Sequence, residues 1–298
     1  MFRELLVSLE FWKVIFKREI TMADYSNYKN VKVEIEDGIG WVTLNRPEKR
    51  NAMSPDLHWE MDEIVDKLEG DSTAKVLVLT GAGESWSAGQ DLKLYFRELD
   101  DNPAERRRVG LANERWRRLR LFMYDKPTIA MVNGYCFGGA FTQLVSCDFA
   151  IAAEDAIFGL SEVNWGILPG GVVSKVVVDT LCYRDALWYA CTGEPFDGKQ
   201  AADMKLINKA VPKESLRDET IALAQRLMKI NPETLRATKQ AIKQVKNMDY
   251  FQALDYLAAK GAEISLRDKT GGRAQGISQF IDDKTYRPGF GPYENSNK

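Results

Sequence analysis

Two short stretches of the chain pair glycine with a bend, so that backbone N–H groups could reach a ligand. They are Ala88-Gly89-Gln90, inside GAGESWSAGQDLKLY (81–95), and Phe137-Gly138-Gly139, inside NGYCFGGAF (133–141). Two such amides from separate loops would make an oxyanion hole, the usual device for holding an enolate or a tetrahedral oxygen. Gly138 and Gly139 also lead into a helical stretch, whose partial positive N-terminal charge favours the same anion. The next positions, Ala140, Phe141, Thr142 and Gln143, bring no nucleophile, metal ligand or acid. Plain turn chemistry is the competing reading of the glycines. A third loop, GLSEVNWGILPGG (159–171), carries one carboxylate, Glu162, which also fits a capping or surface acid after Ser161.

The remaining composition narrows the chemistry by exclusion. The chain has a single histidine, His58. Any Ser-His-Asp or Cys-His arrangement would have to run through it, and a histidine-based zinc site is disfavoured. His58 itself reads as a solvated or packing residue of a helix. Cys136, Cys147, Cys182 and Cys191 show no CxxC spacing, which favours buried thiols in a reducing, cytoplasmic compartment. A formal net charge of −2 argues against a general polyanion binder. The run RRRVGLANERWRRLRL (106–121) has the charge footprint of an RNA-binding helix. Its alternation with Leu111, Leu119 and Leu121 instead predicts an amphipathic helix with a charged outer face, so no nucleic-acid partner is expected.

The elements that must position these loops follow from pattern and punctuation. VKVEIEDGIGWVTLNRP alternates apolar and polar residues around Asp37-Gly38, a hairpin signature. Ser54 as N-cap, Pro55 at the first helical position and Leu57, Met61, Ile64, Val65 and Leu68 at helical spacing predict a helix ending near Gly70. KVLVLTGAG is a short apolar strand of the kind buried on both faces. A helix from about Pro103 to Tyr124 precedes the strand PTIAMVNG; GGAFTQLVSCD reads as a helix, and FAIAA and AIFGL as strands. Asp148 is expected to cap a helix end, and Asp37 and Asp155 to form turns. Beyond Val172 the pattern is mostly helical.

These units predict one α/β core over 22–225 with a helical region over 226–298. At 45% hydrophobic residues over 298 positions, the core is large enough to need neither disulfide nor metal. Residues 1–21 form an N-terminal extension of uncertain role. Arg3, Glu4, Glu10, Lys13 and Lys17 interrupt any membrane-spanning run, and no cleavage site follows a clean apolar stretch. An amphipathic peripheral or subunit-packing helix and an upstream start before Met22 are both open.

The motifs in combination are far more specific than the glycines alone. NRPEKRNAMS, LVLTGAG with WSAGQDL, KPTIAMVNGYCFGGA and CDFAIAAEDAIFGLSEVNWGILPGG resemble the signature blocks of the crotonase (enoyl-CoA hydratase/isomerase) superfamily from about Val31 to Pro288. Within it, GLSEVNWGILPG and AGQDLKLYFRE are similar to the p-hydroxycinnamoyl-CoA (feruloyl-CoA) hydratase/lyases. The resemblance implies a ββα superhelix whose helical C-terminal region packs trimers, or a dimer of trimers. It implies a CoA thioester substrate and no separate cofactor. The implied oxyanion hole is the N–H groups of Gln90 and Gly139, and Glu162 is the one catalytic carboxylate. Ala88, Gly89, Asp91 and Leu92 would follow the adenine and pantetheine arm, with Lys49 near the phosphates. Gly139, Ala140, Phe141, Ser161, Trp165 and Gly170 would wall the acyl pocket, and Tyr95 would bind the substrate's phenol.

Two departures qualify what the resemblance implies. Two-acid hydratases carry a first glutamate where this chain has Thr142, so Glu162 would both activate water and protonate the α-carbon. Val163, Trp165 and Ile167 around it should raise its pKa. The hydratase/lyases also have a second phenol-binding tyrosine in the C-terminal helix, where this chain has Ala258, with Tyr256 on another face. The expected activity is hydration of a hydroxycinnamoyl-CoA and retro-aldol cleavage to an aromatic aldehyde and acetyl-CoA. A Δ3,Δ2-enoyl-CoA isomerase or simple enoyl-CoA hydratase is the alternative.

Overall fold

The computed structural model describes residues 24–289 and 291–295, so the expected extension over 1–21 lies outside the described residues. Strands β1 (Val31–Glu36) and β2 (Ile39–Leu44) form the expected hairpin, with Val31 opposite Leu44 and Glu36 opposite Ile39. Asp37 at φ 50° and Gly38 at φ 82° make the left-handed two-residue turn that matches the twist of its strands. Helix α1 (Pro55–Gly70) opens as its sequence dictates: Ser54 accepts a hydrogen bond from the Leu57 amide, and Pro55 occupies the first turn. Its buried stripe of Leu57, Met61, Ile64, Val65 and Leu68 drives docking, each side chain contributing about 1.5–3 kcal/mol of burial.

Three β-β-helix units then repeat. Strand β3 (Val76–Gly81) continues into short β4 (Ser85–Ser87), then a π-helical segment (Leu92–Arg97) and α2 (Pro103–Glu114). Strand β5 (Thr128–Val132) continues into β6 (Tyr135–Phe137) and α3 (Ala140–Ser146). Strand β7 (Phe149–Ala153) continues into β8 (Ile157–Gly159), a 3-10 turn (Ser161–Trp165) and α4 (Val173–Thr180). Helix α5 (Tyr183–Thr192), strand β9 (Phe196–Asp197), α6 (Gly198–Asp203) and β10 (Lys209–Val211) complete two sheets. The six-stranded sheet has the order β1-β2-β3-β5-β7-β10 and is parallel beyond the hairpin; the small sheet has the order β4-β6-β8-β9. Because β4, β6 and β8 lie side by side and parallel, the loops that leave them emerge at one edge. Those are the three loops singled out in the sequence.

The arginine-rich helix departs from its expected face. Leu111 and Leu119, expected inside, are 61% and 60% exposed; Leu121 alone of the three leucines is buried. The inner face consists of Val109, Ala112, Asn113, Trp116 and Arg117. Their spacing of i, i+3, i+4, i+7 and i+8 is that of a regular helical stripe, and tertiary contacts select it, with Trp116 bonded to His58 and Asn113 to Tyr95. Asp148 accepts from the Thr128 amide and pairs with both Lys239 and Lys243, so it ties the core to the C-terminal helices beyond any local cap.

Helix α7 (Leu216–Met228) packs on β3, β5 and β7 and spans the expected boundary at 225. Helices α8 (Pro232–Val245), α9 (Tyr250–Arg267) and α10 (Gly272–Ile281) follow. Helix α9 buries no residue and exposes Phe251, Leu254 and Leu257. No described helix is long and apolar enough to cross a membrane.

Candidate active site

A cavity of ≈ 1080 Å³ opens where the three loops converge. Ala88, Gln90, Asp91, Leu92 and Tyr95 line it from the first loop, Gly138 and Gly139 from the second, and Ser161, Glu162, Trp165 and Gly170 from the third. The first two loops touch: a Cβ on Gly89 would lie 2.6 Å from the Phe137 carbonyl oxygen, closer than any side chain tolerates. Gly89 and Gly138 hold φ at +86° and +52°, the left-handed region where glycine carries no steric cost.

The backbone pairing around these glycines leaves two amides over. Ala88 N–H donates to Arg50 O, Gly89 N–H to Ser87 Oγ, Asp91 N–H to Met53 O and Gly138 N–H to Gly159 O. Among the described residues, no acceptor takes the N–H of Gln90 or of Gly139. The two are neighbours across the loops, since a Cβ on Gly139 would stand 3.6 Å from the Gln90 nitrogen. Unpaired amides at a cavity wall call for a ligand acceptor.

Glu162 faces this pair. A Cβ on Gly138 would lie 3.2 Å from Glu162 Oε1, so only glycine there lets the carboxyl approach without displacement. Glu162 Oε2 is buried with no hydrogen-bond partner, and burial raises the carboxyl's pKa above its ordinary value. The desolvation comes from this seat rather than from Val163 and Trp165, which are 42% and 64% exposed.

Ala140 and Phe141, expected at the acyl wall, and Thr142 after them lie elsewhere, and Gly89, expected along the CoA arm, does not line the cavity either. Ala140, Phe141 and Thr142 do not line the cavity; helix α3 turns their side chains into the core. Phe141 packs edge-on against Phe158 and Phe196, and Thr142 Oγ1 is buried without a partner. Asp91 lines the cavity, but its carboxylate is used internally. It accepts from the amides of Lys93 and Leu94, capping the π-helical segment, and pairs with Arg46 at 3.0 Å. Burial pushes its pKa up, and the Leu94 amide and Arg46 outweigh that and hold the carboxyl below its ordinary value. Lys49 and Arg50 line the cavity with no ion-pair partner among the described residues, and Arg50 stacks over the Tyr135 ring. Neither Tyr256 nor Ala258 lines the cavity.

The structure adds polar side chains that the sequence reading left out. His58 is fully buried. The Trp116 indole donates to its Nδ1 at 3.0 Å, and its Nε2 lies 2.8 Å from Gln90 Oε1. An indole N–H can only donate, so Nδ1 must accept, and Nε2 carries the proton toward Gln90. Burial and the nearby Arg117 charge push the His58 pKa down to about 3, so the ring is neutral at working pH. The side chain of Gln90 is thereby anchored beside its own free amide. Tyr95 packs edge-on to His58, and its hydroxyl accepts from Asn113 Nδ2 at 3.0 Å. Arg117, 4% exposed, donates to the Gly139 carbonyl at 2.7 Å. The helical spacing of Val109, Ala112 and Trp116 was the available signal for Asn113 and Arg117 on the same face; the pairing of His58 with Trp116 left none.

Known proteins agree with this geometry. The sequence model of the enoyl-CoA hydratase/isomerase family matches residues 34–282. A hydroxycinnamoyl-CoA hydratase-lyase of Pseudomonas fluorescens is 54% identical over 270 residues, which is 90% of this chain and 97% of that protein. A short-chain-enoyl-CoA hydratase of Clostridium acetobutylicum is 34% identical over 229 residues, 76% of this chain and 86% of that one. The crystal structure of an enoyl-CoA hydratase from Bacillus anthracis superposes with a TM-score of 0.78 at 25% identity, covering 90% of this chain and 99% of that one. With the fold, the three loops and the glycine contacts all in agreement, this chain belongs to the enoyl-CoA hydratase/isomerase, or crotonase, family.

Proposed function

We propose that the chain is a hydroxycinnamoyl-CoA hydratase-lyase, which hydrates the conjugated thioester and cleaves the product to an aromatic aldehyde and acetyl-CoA. The carrying observation is one half-buried carboxyl, Glu162, whose Oε2 is buried without a partner and which is set against Gly138, the residue before one of the two unpaired amides. The 54% identity to a protein named for that reaction supports the substrate class.

In the first step the thioester oxygen accepts from the Gln90 and Gly139 N–H groups. The Glu162 carboxylate takes a proton from water as the water oxygen bonds to the β-carbon, and the electrons move onto the thioester oxygen as an enolate. Protonated Glu162 then delivers that proton to the α-carbon. In the second step the regenerated carboxylate removes the β-hydroxyl proton, the Cα–Cβ bond breaks, and the aldehyde departs. The same two amides hold the acetyl-CoA enolate until Glu162 returns the proton to it. A raised carboxyl pKa suits a group that must both accept and donate near neutral pH. Loss of one oxyanion donor typically costs about 10²–10³ in rate, so the amides are a major part of the catalysis.

Lys49 and Arg50, free of ion pairs among the described residues, suit the phosphates of CoA. Ala88, Leu92, Ser161, Trp165 and Gly170 supply cavity wall around the thioester arm and acyl group. The exposed Phe251, Leu254 and Leu257 on α9 support a homo-oligomer, a trimer or a dimer of trimers. Cys136 and Cys147 are buried as expected and Cys182 and Cys191 are exposed against expectation; all four are free, which suits a cytoplasmic location. The test is incubation with 4-coumaroyl-CoA and feruloyl-CoA, following aldehyde and acetyl-CoA. Both products in equal amounts support the assignment; turnover of 3-hexenoyl-CoA without aldehyde from either ester would replace it by an isomerase.

A further inference from the structure

The end of the cavity at Tyr95 contains two buried polar atoms with unmet hydrogen-bonding capacity. Asn113 donates through Nδ2 to the Tyr95 hydroxyl, but its Oδ1 has no partner. Arg117, four residues on along the same inner face, donates to Gly139 O and, at 3.4 Å, to Gln143 Oε1, while its Nε has no partner. Both residues line the cavity and are more than nine-tenths buried. Arginine is rarely buried without an ion pair, and no carboxylate among the described residues pairs with Arg117.

We propose that Asn113, backed by Arg117, is the second recognition group for the ring hydroxyl of the aryl substrate, working beside Tyr95. It takes over from the C-terminal helix, where Ala258 offers no hydrogen bond. This rests on the hydratase-lyase reading above. A phenol is the group that satisfies the set: its O–H donates to Asn113 Oδ1, and its oxygen accepts from Arg117 and from Tyr95. If the Asn113 amide turns over, Tyr95 donates to it and accepts from the phenol, so the pair still offers one donor and one acceptor. A methoxyl at the same ring position can accept but cannot donate. An unsubstituted ring does neither and leaves the buried groups desolvated and unpaired. Such sites reject an analogue lacking the hydroxyl more strongly than apolar pockets reject a missing methylene.

The test uses saturated thioesters that can be neither hydrated nor cleaved: 3-(4-hydroxyphenyl)propanoyl-CoA, its 4-methoxy analogue and 3-phenylpropanoyl-CoA. Calorimetric affinities are measured for the wild-type chain and for Asn113→Ala. The wild type is expected to favour the hydroxyl compound over both others by about tenfold or more, the scale of one buried group left unpaired. Asn113→Ala should bring the three affinities within about threefold while retaining that for 3-phenylpropanoyl-CoA, since only the ring contact is lost. Asn113→Leu, which keeps the volume without polar atoms, reads the same ratio should the alanine variant not fold. A wild type without preference, or variants that keep the preference, would overturn the role of Asn113. Aldehyde release from 4-coumaroyl-CoA by the wild type, measured alongside, separates that failure from failure of the hydratase-lyase assignment.

Discussion

The anchoring of Gln90 by His58 gives the sharpest quantitative prediction. The relay joins the buried Trp116 and His58 to the half-buried Gln90: Trp116 Nε1–H to His58 Nδ1 at 3.0 Å, and His58 Nε2–H to Gln90 Oε1 at 2.8 Å. Gln90 Cγ stands 3.2 Å from the place a Cβ would take on Gly139, so a loose Gln90 side chain disturbs both donors of the oxyanion pair. His58→Leu removes one hydrogen bond from each neighbour and leaves the buried Trp116 N–H unpaired, at about 1–3 kcal/mol of stability, and the half-buried Gln90 Oε1 unpaired at a smaller cost. Complete loss of the Gln90 donor would cost about 10²–10³ in rate; loosening it should cost about 10- to 100-fold in kcat with KM changed little. Gln90→Met alone orphans the His58 N–H. The double variant His58→Leu/Gln90→Met removes both partners of that bond together, so its losses should fall short of the summed single losses by about 1–2 kcal/mol. Steady-state kinetics with 4-coumaroyl-CoA and chemical denaturation of all four proteins complete the cycle. Additive losses, or kcat unchanged in His58→Leu, would refute the positioning argument.

Two further outcomes follow from the same geometry. Gly138→Ala combines a left-handed φ of +52° with a Cβ 3.2 Å from Glu162 Oε1. It should cost about 1–2 kcal/mol of stability and at least about tenfold in kcat, read by thermal unfolding and turnover. The pH dependence has two parts, a loss of activity and a loss of stability, both on acidification. Glu162 must start as the carboxylate, so kcat/KM should fall as pH drops through its raised pKa, giving an acidic limb above the ordinary carboxylate value of 4.5. His58 has a folded pKa of about 3 against an ordinary 6.5, so the folded state binds fewer protons than the unfolded state between these values. Its contribution is intact above 6.5 and is lost as pH falls toward 3, with a slope of about 1.4 kcal/mol per pH unit. Denaturation between pH 7 and 5 should show that slope in the wild type and a shallower one in His58→Leu.

The parts legible in the sequence were those set by local rules. The Asp37-Gly38 hairpin, the Ser54-Pro55 helix start and the apolar strand KVLVLTGAG follow from turn chemistry, capping and burial, and each folds as its residues dictate. The two glycine loops were legible because close backbone approach demands glycine whatever surrounds it. What periodicity could not give was the face of the arginine-rich helix, because apolar Leu111 and Leu119 compete with a stripe that carries polar Asn113 and Arg117, and tertiary contacts decide between the two faces. His58 lay beyond the same limit: buried donors and acceptors are paired by tertiary contacts, here with Trp116 fifty-eight positions away. Phe141 and Thr142 sat in the right segment but point to the core, a distinction set by where α3 rests on β6 and on the rest of the core.

The central claim is that one carboxyl serves both the hydration and the cleavage. Rapid-quench single turnovers with Glu162→Gln test it, starting once from 4-coumaroyl-CoA and once from its β-hydroxy thioester. The amide keeps the size of the side chain and should leave thioester affinity nearly intact. Hydration from the first substrate and aldehyde release from the second should both slow by about 10²–10⁴, the usual contribution of a positioned acid–base group. Near-normal rates in either half, with the other lost, would show that a second group carries that step and would contradict the account.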